Sequence, residues 1–378
     1  MKAVVFHAPG DIRLEKVPEP KIEVGTDAIV RITSSAICGT DLHMVRGTMQ
    51  GMKPGTILGH EGVGIVEEVG KEVRNFRPGD RVVIPSTIAC GYCSYCRAGY
   101  FSQCDNANPT RQGTAFFGGP ENTGPFNGLQ AEYARVPYAN IGLVRLPPDI
   151  DDDAAILLSD IFPTGYFGAD IADISDGDTV AVFGCGPVGL FAIVSAFHFG
   201  AGRVIAIDKV PDRLAMARRQ NAETVDFGEE DVVTIIKQLT GGIGVDRVID
   251  AVGVDAMSAE QPEGGKPWQA GDTPGQVLEW AVNCVAKAGK ISIIGVYPEQ
   301  MKEFPIGMCM MKNLSVHSGN CHHRKYLPEL VEMVRGGVFD PTEILTQKKP
   351  LASALDAYKH FDARETGWEK VELVPAAA

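Results

Sequence analysis

The sequence predicts an α/β protein of two domains, one mainly β and one built on a parallel, doubly wound sheet. With 378 residues, the chain is too long for one compact core, so two domains are expected. Gly, Pro and short β-branched runs dominate up to about residue 150, a pattern typical of strands joined by turns. After about residue 155, short apolar strands alternate with helix-length segments, which favours a parallel sheet covered by helices.

The strand candidates follow this division along the chain. They are Ala28–Thr33, Arg81–Ile84, Thr179–Phe183, Arg203–Ile207, Arg247–Asp250 and Lys290–Ile294. Residues 259–275 are rich in Gly, Pro, Glu and Gln and indicate a surface insertion. After about residue 305 the chain is expected to leave the sheet, so its last part is assigned to the first domain.

Composition excludes several classes of partner. The chain is 44% hydrophobic and 22% charged, as in ordinary globular proteins, and its net charge of -13 argues against nucleic acid or an anionic membrane as partner. The N-terminus lacks a signal-peptide pattern, and the longest apolar stretch, 188–199, is too short to span a bilayer. A cytoplasmic protein is therefore expected.

A glycine fingerprint follows the strand Thr179–Phe183. Gly184-Cys-Gly-Pro-Val-Gly189 permits a tight turn and close approach of backbone to a pyrophosphate. This pattern alone is often only a turn, but Asp208 ends the next strand, where a carboxylate binds a ribose and repels a 2′-phosphate. The sequence thus predicts a dinucleotide site that prefers NAD to NADP. Arg213 is interpreted either as part of this site or as a solvated helix residue.

Four of the nine cysteines lie within a short stretch. Cys90, Cys93, Cys96 and Cys104 have the spacing C-x2-C-x2-C-x7-C. Four thiolates close a tetrahedral zinc site without a vacant position, so this zinc is expected to be structural. An iron–sulfur cluster and free or disulfide-bonded cysteines are the alternatives.

A second set of candidate ligands is dispersed. Cys38 begins Cys-Gly-Thr-Asp-Leu-His43, His60 lies in Gly59-His-Glu61, and Asp160 interrupts the apolar run 154–166. Individually, Cys38 and His60 could be core residues and Asp160 could cap a helix. Together, a thiolate, an imidazole and a carboxylate make three zinc ligands and leave a fourth position for water or an alcohol.

These motifs, in this order, resemble the zinc-dependent medium-chain alcohol dehydrogenases over essentially the full chain. The resemblance implies a GroES-like, mainly β catalytic domain at 1–158 and 305–378, with a structural zinc lobe at about 88–106, and a Rossmann NAD-binding domain at 159–304. It also implies two zinc ions per subunit and a homotetramer or homodimer.

The resemblance assigns Cys38, His60 and Asp160 to the catalytic zinc. Most members have cysteine where Asp160 stands. Aspartate there, with Gly128-Leu-Gln-Ala-Glu-Tyr133, resembles the branch that contains glutathione-independent formaldehyde dehydrogenase and formaldehyde dismutase.

The same resemblance implies roles for residues beside the zinc. Thr40 would take the proton of the alcohol, and His43 would relay it to solvent. Asp41 would orient His60, and Glu61 would lie beside the zinc or form a structural ion pair. The cofactor-binding residues expected are Thr164, Gly184, Gly186, Pro187, Val188, Gly189, Asp208, Arg213, Gly295 and Val296.

Two positions depart from the family pattern. Gly39 stands where some members place a basic residue against the pyrophosphate. Ser86 stands where a bulky aromatic residue often narrows the substrate pocket, although Phe162 or Phe117 could fill that space. The roles of His322 and His323 are not predicted.

The function expected is hydride transfer between an alcohol, or an aldehyde hydrate, and NAD at a zinc site. A glutathione-independent formaldehyde dehydrogenase or dismutase is the alternative within enzymes. The insertion after Asp250 is shorter than expected for the dismutase, which favours freely exchanging NAD. A non-catalytic nucleotide-binding relative is the alternative outside enzymes.

Overall fold

The computed structural model describes residues 1–111, 113–262 and 266–376. Residues 263–265 of the predicted insertion lie outside the described residues. The strands are β1 (Lys2–Ala8), β2 (Asp11–Lys16), β3 (Ala28–Ile37), β4 (Gly62–Val69), β5 (Arg81–Ile84), β6 (Tyr133–Val136), β7 (Val144–Arg145), β8 (Thr179–Phe183), β9 (Arg203–Asp208), β10 (Glu223–Asp226), β11 (Val245–Asp250), β12 (Val285–Ile293), β13 (Ser315–Ser318), β14 (Gln347–Pro350) and β15 (Val371–Val374). The α-helices are α1 (Gly39–Arg46), α2 (Ser94–Arg97), α3 (Ala139–Gly142), α4 (Asp152–Leu158), α5 (Ile161–Ala172), α6 (Pro187–His198), α7 (Pro211–Arg219), α8 (Val232–Leu239), α9 (Gln276–Cys284), α10 (Ile306–Lys312), α11 (His323–Arg335) and α12 (Ala354–Asp362).

The chain divides into two compact units. The first unit contains 1–163, 266–268 and 322–378, and the second contains 164–265 and 269–321. The predicted boundaries at 158/159 and 304/305 therefore differ from those in the structure. The second difference arises because β13 pairs in parallel with β12, so the chain stays in the second sheet until Ser318 and in the second unit until Cys321.

The first unit is a mainly antiparallel β structure. Its seven-stranded sheet has the order β14-β15-β3-β4-β5-β7, with β6 paired to β3. The predicted strand at 28–33 continues to Ile37, which delivers Cys38 to the start of α1. Buried side chains of β3, β5 and the loops around the four cysteines form one core, including Val30, Ile84 and Phe117.

The second unit contains the predicted parallel sheet. Its strands lie in the order β10-β9-β8-β11-β12-β13. From β8 the chain adds strands first on one side and then, from β11, on the other, which makes β8 the topological switch point of a doubly wound fold. Strands β8 and β9 are mostly apolar and are buried except at their first residue, as expected for a sheet covered on both faces. The fold class predicted from the sequence is confirmed.

No helix within the described ranges combines the length and apolar character needed to cross a membrane.

Candidate active site

Four predicted residues come together in the first unit. The potential ligand atoms of Cys38, His60, Glu61 and Asp160 all lie within 4.8 Å of one another, and all four residues are buried. Asp160 Oδ2 is 3.2 Å from His60 Nε2 and 3.6 Å from Cys38 Sγ. Zinc bonds of about 2.0–2.3 Å at tetrahedral angles separate neighbouring ligand atoms by roughly 3.3–3.6 Å. The donor set of Cys38, His60 and Asp160 therefore fits a zinc ion.

Three loop positions bring these donors together. Cys38 directly follows β3, His60 directly precedes Glu61 and β4, and Asp160 lies between α4 and α5. Gly59 has φ +90°, and a Cβ there would lie 2.4 Å from the Cγ atom of Gln130. Glycine at this position thus permits the turn that presents His60.

A buried network holds His60 from behind. Asp41 Oδ1 lies 3.2 Å from His60 Nδ1, and Asp41 Oδ2 accepts hydrogen bonds from the Cys38 backbone N–H at 3.0 Å and from Gln130 Nε2 at 3.2 Å. The Tyr358 hydroxyl donates to Gln130 Oε1 at 2.8 Å. Such contacts fix the orientation of a ligand histidine. Burial would lower the pKa of His60, but the charges of Asp41 and Cys38 raise it well above its usual value.

His323 holds Asp160 from the opposite side. His323 Nε2 lies 2.6 Å from Asp160 Oδ1, and His323 Nδ1 lies 3.1 Å from the Thr87 hydroxyl. Burial opposes ionisation of Asp160, but hydrogen bonds from His323 and His60 outweigh it and hold the pKa of this carboxyl well below its usual range. Asp160 is thus an ionised candidate zinc ligand inside an otherwise apolar run of the chain.

Glu61 forms a buried ion pair. Lys370 Nζ lies 2.6 Å from both carboxylate oxygens of Glu61, and it also donates to the Ile37 carbonyl at 3.1 Å. Both side chains are fully buried. Burial raises the pKa of Glu61, and the charge of Lys370 opposes this shift. The structure thus places Glu61 both beside the donor set and in an ion pair, the two roles that the sequence left open.

Thr40 and His43 lie on α1, directly after Cys38. Thr40 is half-buried, and His43 is buried with Nδ1 at 3.3 Å from the Thr48 hydroxyl. Thr48 also donates to the carbonyl of His43 at 3.1 Å. These contacts hold the His43 ring near one hydroxyl, as a proton relay requires.

The cysteine lobe forms a second donor set. Cys90, Cys93, Cys96 and Cys104 have their Sγ atoms within 4.8 Å of one another, and the pairs Cys90–Cys96 and Cys93–Cys104 are each 4.0 Å apart. Four Zn–S bonds of about 2.3 Å at tetrahedral angles predict roughly 3.8 Å between sulfurs. Backbone N–H groups also donate to sulfur, among them Cys93 to Cys90 at 3.3 Å. The lobe therefore fits a four-thiolate zinc site.

The glycine fingerprint has the geometry of a dinucleotide turn. A Cβ on Gly189 would lie 1.8 Å from the carbonyl oxygen of Gly184, so helix α6 can pack this closely only with glycine there. Helix α6 begins with Pro187 and Val188. The first backbone N–H groups of a helix have no acceptor within the helix, so they can bind an anion.

Asp208 ends β9 beside this turn and is buried. Its Oδ2 accepts from the Cys185 N–H at 2.8 Å, and its Oδ1 accepts from the N–H groups of Lys209 and Val210 at 2.7 and 2.9 Å. A carboxylate has about four acceptor positions, so one remains for a ribose hydroxyl. The sequence predicted a ribose-binding role for Asp208, but it did not predict that the same carboxylate also ties the fingerprint to the strand.

The other predicted cofactor residues are distributed around the same sheet edge. A Cβ on Gly186 would lie 3.7 Å from the guanidinium of Arg213, so Arg213 borders the fingerprint. Val296 accepts a hydrogen bond from the Val254 N–H at 2.8 Å, and Gly295 passes so close to Gly253 that a Cβ would lie 2.3 Å from its nitrogen. Thr164 lies in α5.

The substrate wall at Ser86 stays a prediction. Ser86 is buried, with its N–H bonded to the carbonyl of Ser159 at 3.1 Å. Phe117 belongs to the buried core of the first unit, and Phe162 packs edge-on against Phe339. Phe116 is the aromatic residue beside the donors: its ring lies 6.0 Å from that of His60, edge to face.

Sequence reasoning missed His323, Lys370, Gln130 and Tyr358. The sequence separations, 163 residues for Asp160–His323 and 309 for Glu61–Lys370, place these partners far outside any local motif. The sequence features that could have pointed to His323 and Lys370 were the tandem His322-His323 and the position of Lys370 directly before an apolar strand.

Comparison with known proteins gives the same family from both halves of the chain. Residues 25–148 match the alcohol dehydrogenase GroES-like domain, and residues 187–263 match the zinc-binding dehydrogenase family. A zinc-type alcohol dehydrogenase-like protein of Bacillus subtilis is 40% identical over 99% of this chain and 100% of its own. A glutathione-independent formaldehyde dehydrogenase of Pseudomonas aeruginosa is 34% identical over 96% of this chain and 95% of its own.

Solved structures agree with these relatives. The alcohol dehydrogenase TADH from Thermus sp. ATN1 matches 100% of both chains with a TM-score of 0.86 and 34% identity. Fold and site define a zinc- and NAD-dependent oxidoreductase that acts on a small molecule. The chain belongs to the zinc-dependent medium-chain alcohol dehydrogenase family.

Proposed function

We propose that this enzyme transfers a hydride between an alcohol, or an aldehyde hydrate, and NAD at the Cys38–His60–Asp160 site. The observation that carries this proposal is the convergence of these three buried donors at separations suited to zinc. When bound, the zinc supplies Lewis acidity, which makes an alcohol hydroxyl easier to deprotonate at neutral pH.

The surrounding side chains then hold the donors and move the proton. Asp41 and His323 orient His60 and Asp160. The Thr40 hydroxyl accepts the proton of the alcohol, and His43 passes it towards solvent, using the hydroxyl of Thr48 beside its ring. Glu61 stays paired with Lys370 and places a negative charge beside the donors.

A panel of alcohols and aldehydes assayed with NAD and NADP tests this function. We expect NADH formation with at least one alcohol, a preference for NAD, and loss of turnover when Thr40 is replaced by Val. Unchanged turnover in Thr40→Val would contradict the relay. Absence of NADH formation across the panel by a chain with two bound zinc ions would contradict the reaction.

Oxidation of formaldehyde is the second candidate. It is favoured by aspartate at the third ligand position and by the 34% identity to a glutathione-independent formaldehyde dehydrogenase. Formaldehyde with excess NAD separates the outcomes: a dehydrogenase accumulates NADH with formate, whereas a dismutase makes formate and methanol without net NADH.

We also propose a homo-oligomer assembled through the second unit. The edge strand β13 is exposed along its length, and α10 beside it exposes Met310 and Met311 at 76% and 82%. An exposed strand edge with an apolar border is suited to pairing with a second copy. A cytoplasmic location is proposed because none of the nine cysteines, all of them described, is in a disulfide, which suits a reducing compartment. Within each chain, we propose that the first unit is the catalytic domain and the second binds NAD.

A further inference from the structure

Two adjacent histidines at the start of α11 reach two different metal sites of the first unit. His322 Nδ1 lies 2.8 Å from the hydroxyl of Ser102, and its ring packs edge-on against Tyr100 with centroids 5.4 Å apart. Ser102 lies in the short turn Phe101–Gln103, which leads directly into Cys104 of the four-cysteine lobe. His323 turns the other way and lies 2.6 Å from Asp160. The function proposed above uses His323 only as a contact of Asp160, and it gives His322 no role.

The hydrogen bonds of His323 define its role. A carboxylate that ligates zinc can only accept hydrogen bonds, so His323 Nε2 donates to Asp160 Oδ1, and His323 Nδ1 then accepts from the Thr87 hydroxyl. Only 4% of the His323 side chain is exposed, so water does not compete for these contacts. Both ring nitrogens are therefore fixed by protein groups.

This contact determines which oxygen of Asp160 faces the other donors. With Oδ1 held by His323, Oδ2 is left 3.2 Å from His60 Nε2 and 3.6 Å from Cys38 Sγ. Without His323, the carboxylate could rotate about its Cβ–Cγ bond, and its Oδ1 would lose a buried donor. A carboxylate that ligates a metal through one oxygen is commonly held in this way through the other.

We propose that His323 is a positioning residue, which fixes Asp160 for metal binding and, through His322, makes that position depend on the four-cysteine lobe. This inference rests on the proposed function, since it assumes that Asp160 ligates the catalytic zinc. The covalent link between the two histidines and the packing of α11 on the turn Phe101–Gln103 provide the mechanical connection.

The first experiment removes the hydrogen-bond donor that His323 provides to Asp160. His323→Met keeps an apolar side chain of similar size, whereas His323→Gln keeps an N–H near the position of Nε2. Zn²⁺ affinity of each full-length variant is measured by competition with a chromophoric chelator, and the ligand-field spectrum is recorded after Co²⁺ replaces Zn²⁺. We expect His323→Met to weaken zinc binding at the Cys38–His60–Asp160 site by roughly 10–100-fold and to shift the Co²⁺ spectrum of that site, and His323→Gln to restore most of the affinity.

The matched control is His360→Met, because His360 is 42% exposed on α12 and pairs with Glu365. Wild-type zinc affinity and spectrum in His323→Met would overturn the proposal while leaving the proposed function intact. A wild-type chain that binds only one zinc would instead overturn the catalytic metal site itself. If His323→Met does not fold, Thr87→Val and Thr87→Ser provide the test. Weaker zinc binding in Thr87→Val but not in Thr87→Ser supports the proposal, and equal zinc affinity in the two variants overturns it.

A double-mutant cycle tests the connection to the lobe. Ser102→Ala removes the hydroxyl that contacts His322. We expect it to weaken the catalytic-site zinc in the wild-type background but to add little in His323→Met, while Ser102→Ala and His360→Met add independently. Additive effects of Ser102→Ala and His323→Met would overturn the coupling.

Discussion

Two donors of the catalytic set, His60 and Asp160, each lie against a buried side chain outside the set. His60 faces Asp41 at 3.2 Å, and Asp160 faces His323 at 2.6 Å. A buried carboxylate without partners would cost several kcal/mol, so these contacts let the fold tolerate the charges before a metal arrives. Residue changes at this site should therefore separate metal binding from folding.

Asp160→Ala is expected to lower the zinc content from about two ions per chain to about one. The substitution removes one of three ligands and one negative charge, whereas the lobe of Cys90, Cys93, Cys96 and Cys104 is untouched. Alcohol oxidation should fall by more than the roughly 100-fold that loss of a residue holding a metal ligand can cost, with NADH binding retained. Metal analysis and NADH fluorescence measure both, and Asp160→Cys should recover part of the zinc. A folded Asp160→Ala enzyme that keeps two zinc ions would refute this ligand assignment.

Phe116→Ala is expected to widen the substrate range. The Phe116 ring lies beside His60, whereas Ser86 offers no aromatic wall. Removal of this ring should improve kcat/KM for branched alcohols relative to ethanol by roughly tenfold, the range typical of a pocket enlarged by several carbons. Phe126→Ala, which shortens an aromatic residue packed on the core, is the control. A parallel loss across all chain lengths would show that Phe116 supports the fold and does not shape the pocket.

At the scale of elements, the sequence predicted the strands that have a clear local pattern of apolar residues. Strands β5 and β8 begin and end at the predicted residues, because each is a mostly apolar, buried run that follows an aspartate and ends before Pro85 or Gly184. Strand β13, Ser-Val-His-Ser, has no such pattern and lies at the sheet edge, so its membership in the second sheet was missed. The same limit applied to the site: motifs located Cys38 and His60, whereas His323 and Lys370 meet their partners only through the tertiary fold.

Gly189→Ala should damage the strand-turn-helix element β8–α6 without affecting the metal sites. A Cβ would lie 1.8 Å from the carbonyl of Gly184, so the helix must move away from the strand and the pyrophosphate turn must open. We expect NADH affinity to fall at least about tenfold, a change of about 1.4 kcal/mol, with zinc content unchanged. Gly307→Ala is the matched control, since among the described residues a Cβ there meets no atom within 4 Å. Equal NADH affinity in the two variants would argue against the fingerprint as the cofactor site.

At the scale of the whole molecule, the two chemical functions use separate parts of the chain. The zinc donors lie within the first unit, and the fingerprint and Asp208 lie within the second. A chelator that removes both zinc ions should therefore abolish turnover but leave NADH affinity within about threefold, less than 1 kcal/mol. NADH fluorescence titration before and after chelation checks this expectation, and added Zn²⁺ should restore activity. Loss of NADH binding together with the zinc would mean that the cofactor site requires the metal-loaded first unit.

The homo-oligomer proposed above is expected to form through the second unit. Helix α10 exposes Met310 and Met311 and precedes β13 along the chain, and β13 is the last strand of its sheet, so its outer edge is suited to pairing with a second copy. Met311→Asp would place a charge in this contact and is expected to lower the mass measured by light scattering to that of one chain, because an unpaired carboxylate is costly to bury. Val338→Asp is the matched control, since Val338 is also exposed, at 57%, but belongs to the first unit. Monomeric Met311→Asp should keep both zinc ions, since every donor comes from the first unit of its own chain. An unchanged mass in Met311→Asp with a reduced mass in Val338→Asp would move the interface to the first unit.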